Sequence, residues 1–512
     1  MATTSTDTKT FLAGSVSKRL ILLNATMALI YFLFITFGFK HGNNWLFGFL
    51  IFGEAFHLFQ VLGFCHTIWD KRLTAKFDPD FEQPVDIFIT VCGEPVDIVR
   101  ETAMAALAMD YPEFHVYLLN DGYVAKKDNW QEIITLATEL GITAITRKVP
   151  GGAKAGNINN ALAETHSPYF VVFDADHVPY TNFLRKTMGY FTDKKMGFVQ
   201  SPQYYKNHAQ NFVTQTAWDQ QALFFGAIMS GKNRTNSAFM CGTNMALSRE
   251  AIMSVGGIFD NIAEDFLTSL FVHAKGWNSV YVPEVIAEGL APEDFLSYYK
   301  QQYRWTRGSL EVIFKYNPIF MRGMTWAQKF QYLASASYYL SGLIILIDLV
   351  IPLVFLYTGL TPIHTATMAL ALVFLPYITL NLYTLQKSSN FVCNFPAISF
   401  SISAFYIQLR AIYAVLTNQK TVFAVTPKSQ QQGNFVKLAT PHFVFFIVAI
   451  IGLVIGLNRE GLSASLLANL SWVLVNAAVF VPFIKASLPE KKAKKKPAHK
   501  QTVLVKPTRN VA

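Results

Sequence analysis

The chain alternates between long uniformly apolar runs and a middle region of short, mixed patterns. Residues 20–39 form an uncharged apolar run preceded by Lys18 and Arg19, long enough to cross a bilayer core as a helix. Residues 45–66 predict a second span that contains Glu54 and His57. Ionisable groups at that depth face protein rather than lipid, in a structural or a functional role. From 84 to 320 the character changes, with short β-rich segments alternating with helical patterns and turn signals. The predicted strands are 85–92, 114–120, 143–149, 169–174, 196–200 and 278–282. Such alternation predicts an α/β domain with a largely parallel sheet. Apolar spans return at 329–357, 365–386, 441–458 and 464–485, while 394–419 is aromatic and amphipathic, with Arg410 inside. That stretch predicts an interfacial helix. The expected domains are therefore 1–80 with two spans, an α/β domain at 81–320, a membrane region at 321–485 containing a loop at 387–440, and a basic tail at 486–512.

Composition sharpens this picture. The 512 residues are 52% hydrophobic and 15% charged, whereas a soluble enzyme carries about 25% charged residues. The net charge of +10 is concentrated in the tail, where eight Lys and Arg stand against one Glu. This distribution argues against a nucleic-acid partner and fits a tail facing a membrane surface, or one that is simply solvated. Six spans put both termini, the α/β domain and the 387–440 loop on one side. The Lys/Arg bias makes that side the cytosol, in a multi-pass plasma (inner) membrane protein. Cys65, Cys92, Cys241 and Cys393 have neither paired nor zinc-like spacing.

The candidate chemistry is acidic. Asp121 ends the second predicted strand, and Asp174 and Asp176 end the fourth, just before His177. In open α/β sheets ligands bind outside the C-terminal strand ends, where carboxylates can hold a hard cation that bridges diphosphate oxygens. Alone, such a pair also suits an ordinary turn. Lys154 opens a helix after Pro150-Gly151-Gly152 and can meet a phosphate or merely start that helix. Glu264-Asp265 precede an apolar run; they either favour a helix N-terminus or supply a general base. Gln301, Arg304 and Trp305 share one helix face, joining an amide, a guanidinium and an indole. That face suits a diphosphate and a sugar ring, or an interfacial anchor. Phe423-Ala424-Val425-Thr426-Pro427-Lys428 lies in the loop between spans.

In this order the motifs resemble the processive family-2 glycosyltransferases, specifically the cellulose synthase catalytic subunit. Asp121, Asp174-Ala175-Asp176-His177-Val178-Pro179, Glu264-Asp265, Gln301/Arg304/Trp305 and 423–428 carry the resemblance, and the segments 198–203 and 239–244 add to it. The 423–428 pattern favours the cellulose-synthase branch over the chitin and hyaluronan branches. The resemblance implies a GT-A fold between about six transmembrane helices, a UDP-sugar donor, Mg2+ or Mn2+, and a growing polysaccharide as second substrate. It also implies inverting transfer to a β-linkage. Membrane lipids are expected partners, and accessory subunits are possible ones.

By the same resemblance Asp174 and Asp176 hold the metal. Thr90, Glu94, Asp121, Lys154, Asp174, His177, Gln301, Arg304, Thr426 and Lys428 surround the UDP-sugar. Asp265, with Glu264, is the catalytic base. Trp305 and Cys241 meet the acceptor. Cys92-Gly93-Glu94-Pro95 where the family usually has Asn before Glu-Pro, Asn120 where Asp is common, and Ala263 where Thr is common are departures that remove no charge the mechanism needs. Only two spans precede the domain, and the tail is too short for a cyclic-di-GMP-sensing barrel, so the product can be a different glucan. A non-processive transferase to a lipid-linked acceptor and a transporter are the rival readings.

Overall fold

The computed structural model describes residues 14–364, 367–419 and 433–489. Helices Lys18–Phe37 and Asn44–Ile68 pack against each other ahead of the α/β domain. Both are mostly apolar, and the ionisable pair in the second turns to protein partners: the Tyr31 hydroxyl donates to Glu54 at 2.7 Å, and His57 Nε2 lies 3.1 Å from Asp348 Oδ2. Each begins at a polar cap: Ser17 Oγ accepts from the Leu20 N–H at 3.3 Å, and Asn43 Oδ1 accepts from Trp45 and Leu46 at 3.1 and 3.2 Å.

The domain is built on a seven-stranded sheet. Its strands are β1 Val85–Val91, β2 Phe114–Asn120, β3 Thr143–Thr146, β4 Tyr169–Asp174, β5 Met196–Gln200, β6 Met245–Ser248 and β7 Asn278–Tyr281. They lie in the order β7-β5-β6-β4-β1-β2-β3. All neighbours are parallel except at β6, which runs antiparallel to both β4 and β5. The sequence reading lacked β6 and ran three strands too long: they stop at Val91, Thr146 and Tyr281.

Helices cover both faces of the sheet, so its central strands are buried on both sides. Ile87 and Ile89 of β1 pack towards helices Val96–Leu107 and Trp130–Glu139, while Phe88 packs towards helix Ala153–Glu164. A third core, containing Trp218, Phe239, Phe266, Tyr298, Tyr332, Phe400 and Phe483, joins the domain to the helices that follow it.

Among the described residues seven helices are long and apolar enough to cross a membrane. The 394–419 stretch, expected to be interfacial, is one of the seven, as Phe395–Leu416, by length and composition alone. That stretch breaks at Ala404, and more than half of it is buried within the protein. Its polar positions are used there. Arg410 donates to the Tyr299 hydroxyl at 2.9 Å and lies over the Tyr303 ring. The 329–357 span is likewise two helices, Trp326–Ser337 and Ser341–Thr358, joined by a single tight turn.

Candidate active site

The C-terminal ends of β1, β2 and β4 open into a cavity of about 640 Å³. Thr90, Glu94, Asp121, Lys154, Asp174, Asp176, His177, Cys241, Glu264, Asp265, Gln301, Arg304 and Trp305 all line it. Every expected site residue among the described ones is thus in one place. Thr426 and Lys428 lie outside the described residues.

Parallel pairing sets the first part of the wall. Thr90 of β1 stands opposite Asp174 of β4, and its hydroxyl donates to Asp174 Oδ1 at 3.2 Å. Beyond β2, Asn120 fixes the turn by accepting from the Gly122 N–H at 2.9 Å and donating to the Trp130 carbonyl at 2.7 Å. Asp121 then receives Nε and Nη2 of Arg147 at 2.9 and 2.7 Å, a two-pronged pairing that fixes its plane. Burial lifts the Asp121 carboxyl above its usual range, against the opposing pull of Arg147. Arg147, from the loop after β3, has no signature in the sequence.

Helix Ala153–Glu164 begins after Gly152, whose left-handed φ of 66° suits glycine. It delivers Lys154, whose ammonium bonds both Asp174 and, at 2.7 Å, the Gly242 carbonyl. Burial works to lower its pKa, but Asp174, Glu264 and Asp265 outweigh this and hold it above the usual lysine value. Gly242 has φ 83°, and a Cβ there would sit 3.3 Å from Asp265 Oδ2. The glycine keeps open the space between lysine and acid.

Asp174, Asp176 and His177 bring ligand atoms within 4.8 Å of one another, a span one cation can bridge. Asp176 and His177 are buried, and neither ring nitrogen of His177 has a hydrogen-bond partner among the described residues. His177 Nδ1 lies 3.6 Å from Asp176 Oδ1, too far for a good hydrogen bond, and a cation held by this set would engage one of its nitrogens. The donor set of oxygens with one imidazole suits Mg2+ or Mn2+. His177 packs on Gly289, where a Cβ would fall 2.4 Å from Nε2.

Glu264 and Asp265 open helix Glu264–Ala274. Burial raises both carboxyls, and repulsion from Asp265 adds to the rise at Glu264, which reaches about 7. Helix Phe295–Glu311, capped by Asp294 through the Ser297 N–H at 2.9 Å, brings Gln301, Arg304 and Trp305 to the same cavity. Its Gly308 meets Ala263 so closely that a Cβ would lie 2.4 Å from the alanine methyl. This contact sets the spacing between the acidic pair and the Arg304 face, and gives Ala263 a packing reason.

Two supports escaped the sequence reading. The fully buried Tyr205 hydrogen-bonds Gln301. Gln200 and Gln203 grip Cys241 by its N–H and carbonyl at 2.8 and 2.6 Å. The second pair explains why segments 198–203 and 239–244 occur together.

Comparison with known proteins matches residues 83–308 to a glycosyltransferase-like family 2 model and 250–486 to a cellulose synthase model. The chain is 30% identical over 467 residues to the UDP-forming cellulose synthase catalytic subunit of Pseudomonas fluorescens (strain SBW25), an alignment covering 87% of this chain and 62% of that protein. The chain thus carries a glycosyltransferase family 2-like domain that leads into a cellulose synthase-like region. It is also 28% identical to cellulose synthase 2 of Novacetimonas hansenii, over 88% of this chain and 29% of that protein. It therefore spans less than two thirds of the length of either cellulose synthase. A mannosyltransferase from Pyrobaculum calidifontis, solved with GDP-Man and Mn2+, superposes with a TM-score of 0.50 at 15% identity, covering 73% of this chain and all of that one. This likeness supports the GT-A fold of the family-2 domain.

Proposed function

We propose that the chain polymerises a β-glucan of cellulose type from UDP-glucose, processively and with inversion, and passes the polymer across the plasma membrane from a cytosolic catalytic domain. One observation carries the reading: diphosphate, base and acceptor chemistry share a single cavity that a common core ties to the apolar helices.

In this reading Asp121, held by Arg147, receives the uridine end. Asp174, Asp176 and His177 hold Mg2+ or Mn2+, which neutralises charge on the leaving diphosphate when bound. Lys154 and Arg304 add fixed positive charge, where a preorganised site gains most. Asp265 takes the proton from the acceptor hydroxyl as that oxygen attacks the anomeric carbon, with Glu264 beside it shaping its affinity for the proton. Trp305 stacks on the terminal acceptor sugar, and Cys241 borders the same subsite. The growing polysaccharide stays bound between additions, which is what processivity requires. Thr426 and Lys428 complete the proposed donor site.

The test is a screen of radiolabelled UDP- and GDP-sugars with the purified full chain and Mg2+ or Mn2+, followed by digestion of the product with linkage-specific glucanases. The reading expects long polymer from UDP-glucose alone, degraded by a β-1,4-glucanase. Short products confined to lipid would overturn processivity, and another donor would overturn the sugar.

A further inference from the structure

A second depression lies far from the catalytic chemistry in character. It is a groove of about 300 Å³ between the first turns of helix Lys18–Phe37 and the last turns of helix Asn44–Ile68. Its walls are Ile21, Leu22, Ala25, Leu62 and Cys65, with Trp69 and Arg234 at one end. Leu22 and Leu62 are 54% and 39% exposed, so the groove opens sideways to the surroundings of the helices.

The polar end is cationic. Arg234 reaches across from the α/β domain and donates one N–H to the His66 carbonyl at 2.8 Å. A guanidinium carries five donors, and no carboxylate lies within ion-pair distance of Arg234 among the described residues. Lys18 sits over the Trp69 ring, 5.4 Å from its centroid, and also has no ion pair there. The nearby Asp70 is taken by Arg72 at 2.5 Å. Lys18, Arg72 and Arg234 outnumber the one carboxylate there, Asp70, which feels both Arg72 and Lys18. An apolar slot between two spans, ending in excess positive charge and an interfacial tryptophan, matches a molecule with an acyl chain and an anionic head.

We propose that this groove binds one anionic glycerophospholipid, its acyl chain along Ile21, Leu22, Ala25 and Leu62 and its phosphate on Arg234 and Lys18. The consequence is mechanical. The segment carrying Arg234 is bonded into the domain, since Asn233 donates to the Tyr281 carbonyl at the end of β7 and Lys232 donates to Gln331 of helix Trp326–Ser337. A lipid phosphate on Arg234 thus clamps the catalytic domain to the first two spans. The proposal requires those helices to lie in a bilayer and does not depend on the sugar or the reaction.

The full chain, reconstituted in nanodiscs of phosphatidylcholine with about 30% phosphatidylglycerol, is released into detergent and read by native mass spectrometry. The wild type is expected to retain one phosphatidylglycerol and no phosphatidylcholine. Lys18→Gln/Arg234→Gln lowers that retention by about tenfold or more, the loss of two phosphate contacts. Ala25→Trp fills the groove with every charge intact and lowers it as well, whereas Arg234→Lys retains the lipid. UDP binding, measured in parallel, reports that each variant is folded. Retention unchanged in the double variant overturns the headgroup assignment. Retention unchanged in Ala25→Trp overturns the groove, leaving only surface attraction.

Discussion

The two ends of the central sheet treat buried acid in opposite ways. At the N-terminal end, Asp86 of β1 is enclosed. It accepts from the Ser167 N–H and hydroxyl at 3.1 and 2.7 Å and from Arg249 at 2.9 Å. Arg249 spends its remaining donors on the Ser167 and Leu162 carbonyls and the Thr165 hydroxyl. At the C-terminal end, Asp121, Asp174, Asp176, Glu264 and Asp265 line an open cavity. The same residue type fastens the fold at one edge and faces a ligand-sized space at the other. Burial and charge therefore do not mark a functional acid; convergence on a cavity at the strand ends does.

Substitutions at the two ends should separate accordingly. The largest effect is expected from Asp265→Asn, which removes the proposed base and lowers polymer synthesis by about 10²- to 10⁴-fold, with thermal stability kept. Product formation from UDP-glucose checks it. At the other end, Asp86→Ala strands Arg249 without its anion and costs about 3–5 kcal/mol of stability. Thermal unfolding of the full chain reads that loss, and activity per folded molecule should hold.

A smaller and graded effect comes from pH. The acidic pair is raised, Glu264 to about 7, so a proton stays on it at pH values where ordinary carboxyls are ionised. The base must be unprotonated to act, so the rate should start to fall at a pH above the ordinary carboxyl range, by about tenfold per unit once well below the pair's titration. A rate profile with its acid limb near pH 4.5 would contradict this. Mildest is Trp305→Ala, which removes stacking worth about 0.5–1.5 kcal/mol, shortens the polymer and leaves UDP affinity alone. Product sizing beside UDP titration distinguishes the two.

Much of this arrangement was legible before the fold was seen. Asp121 and Asp174 stand at ends of strands whose apolar runs are unmistakable, and the Gln301, Arg304 and Trp305 spacing needs only helix geometry. Other parts left no trace. β6 is four residues, Met-Ala-Leu-Ser, with no β-branched side chain; its place between β4 and β5 follows from tertiary pairing alone. Arg147 looks like any loop arginine until the chain folds it onto Asp121. The break at Ala404 and the Gly308–Ala263 contact are likewise packing facts, visible only where two distant segments meet.

The central claim is that the acids at the C-terminal edge divide into a metal-dependent diphosphate grip and a separate base. Calorimetric titration of UDP into the wild type, Asp176→Asn and Asp265→Asn, with and without Mn2+, tests it most directly. The account predicts metal-dependent UDP binding in the wild type and in Asp265→Asn, agreeing within about threefold. In Asp176→Asn, binding should be weaker by about tenfold or more and indifferent to Mn2+. Equal loss in both variants, or undiminished metal-dependent binding in Asp176→Asn, would contradict it.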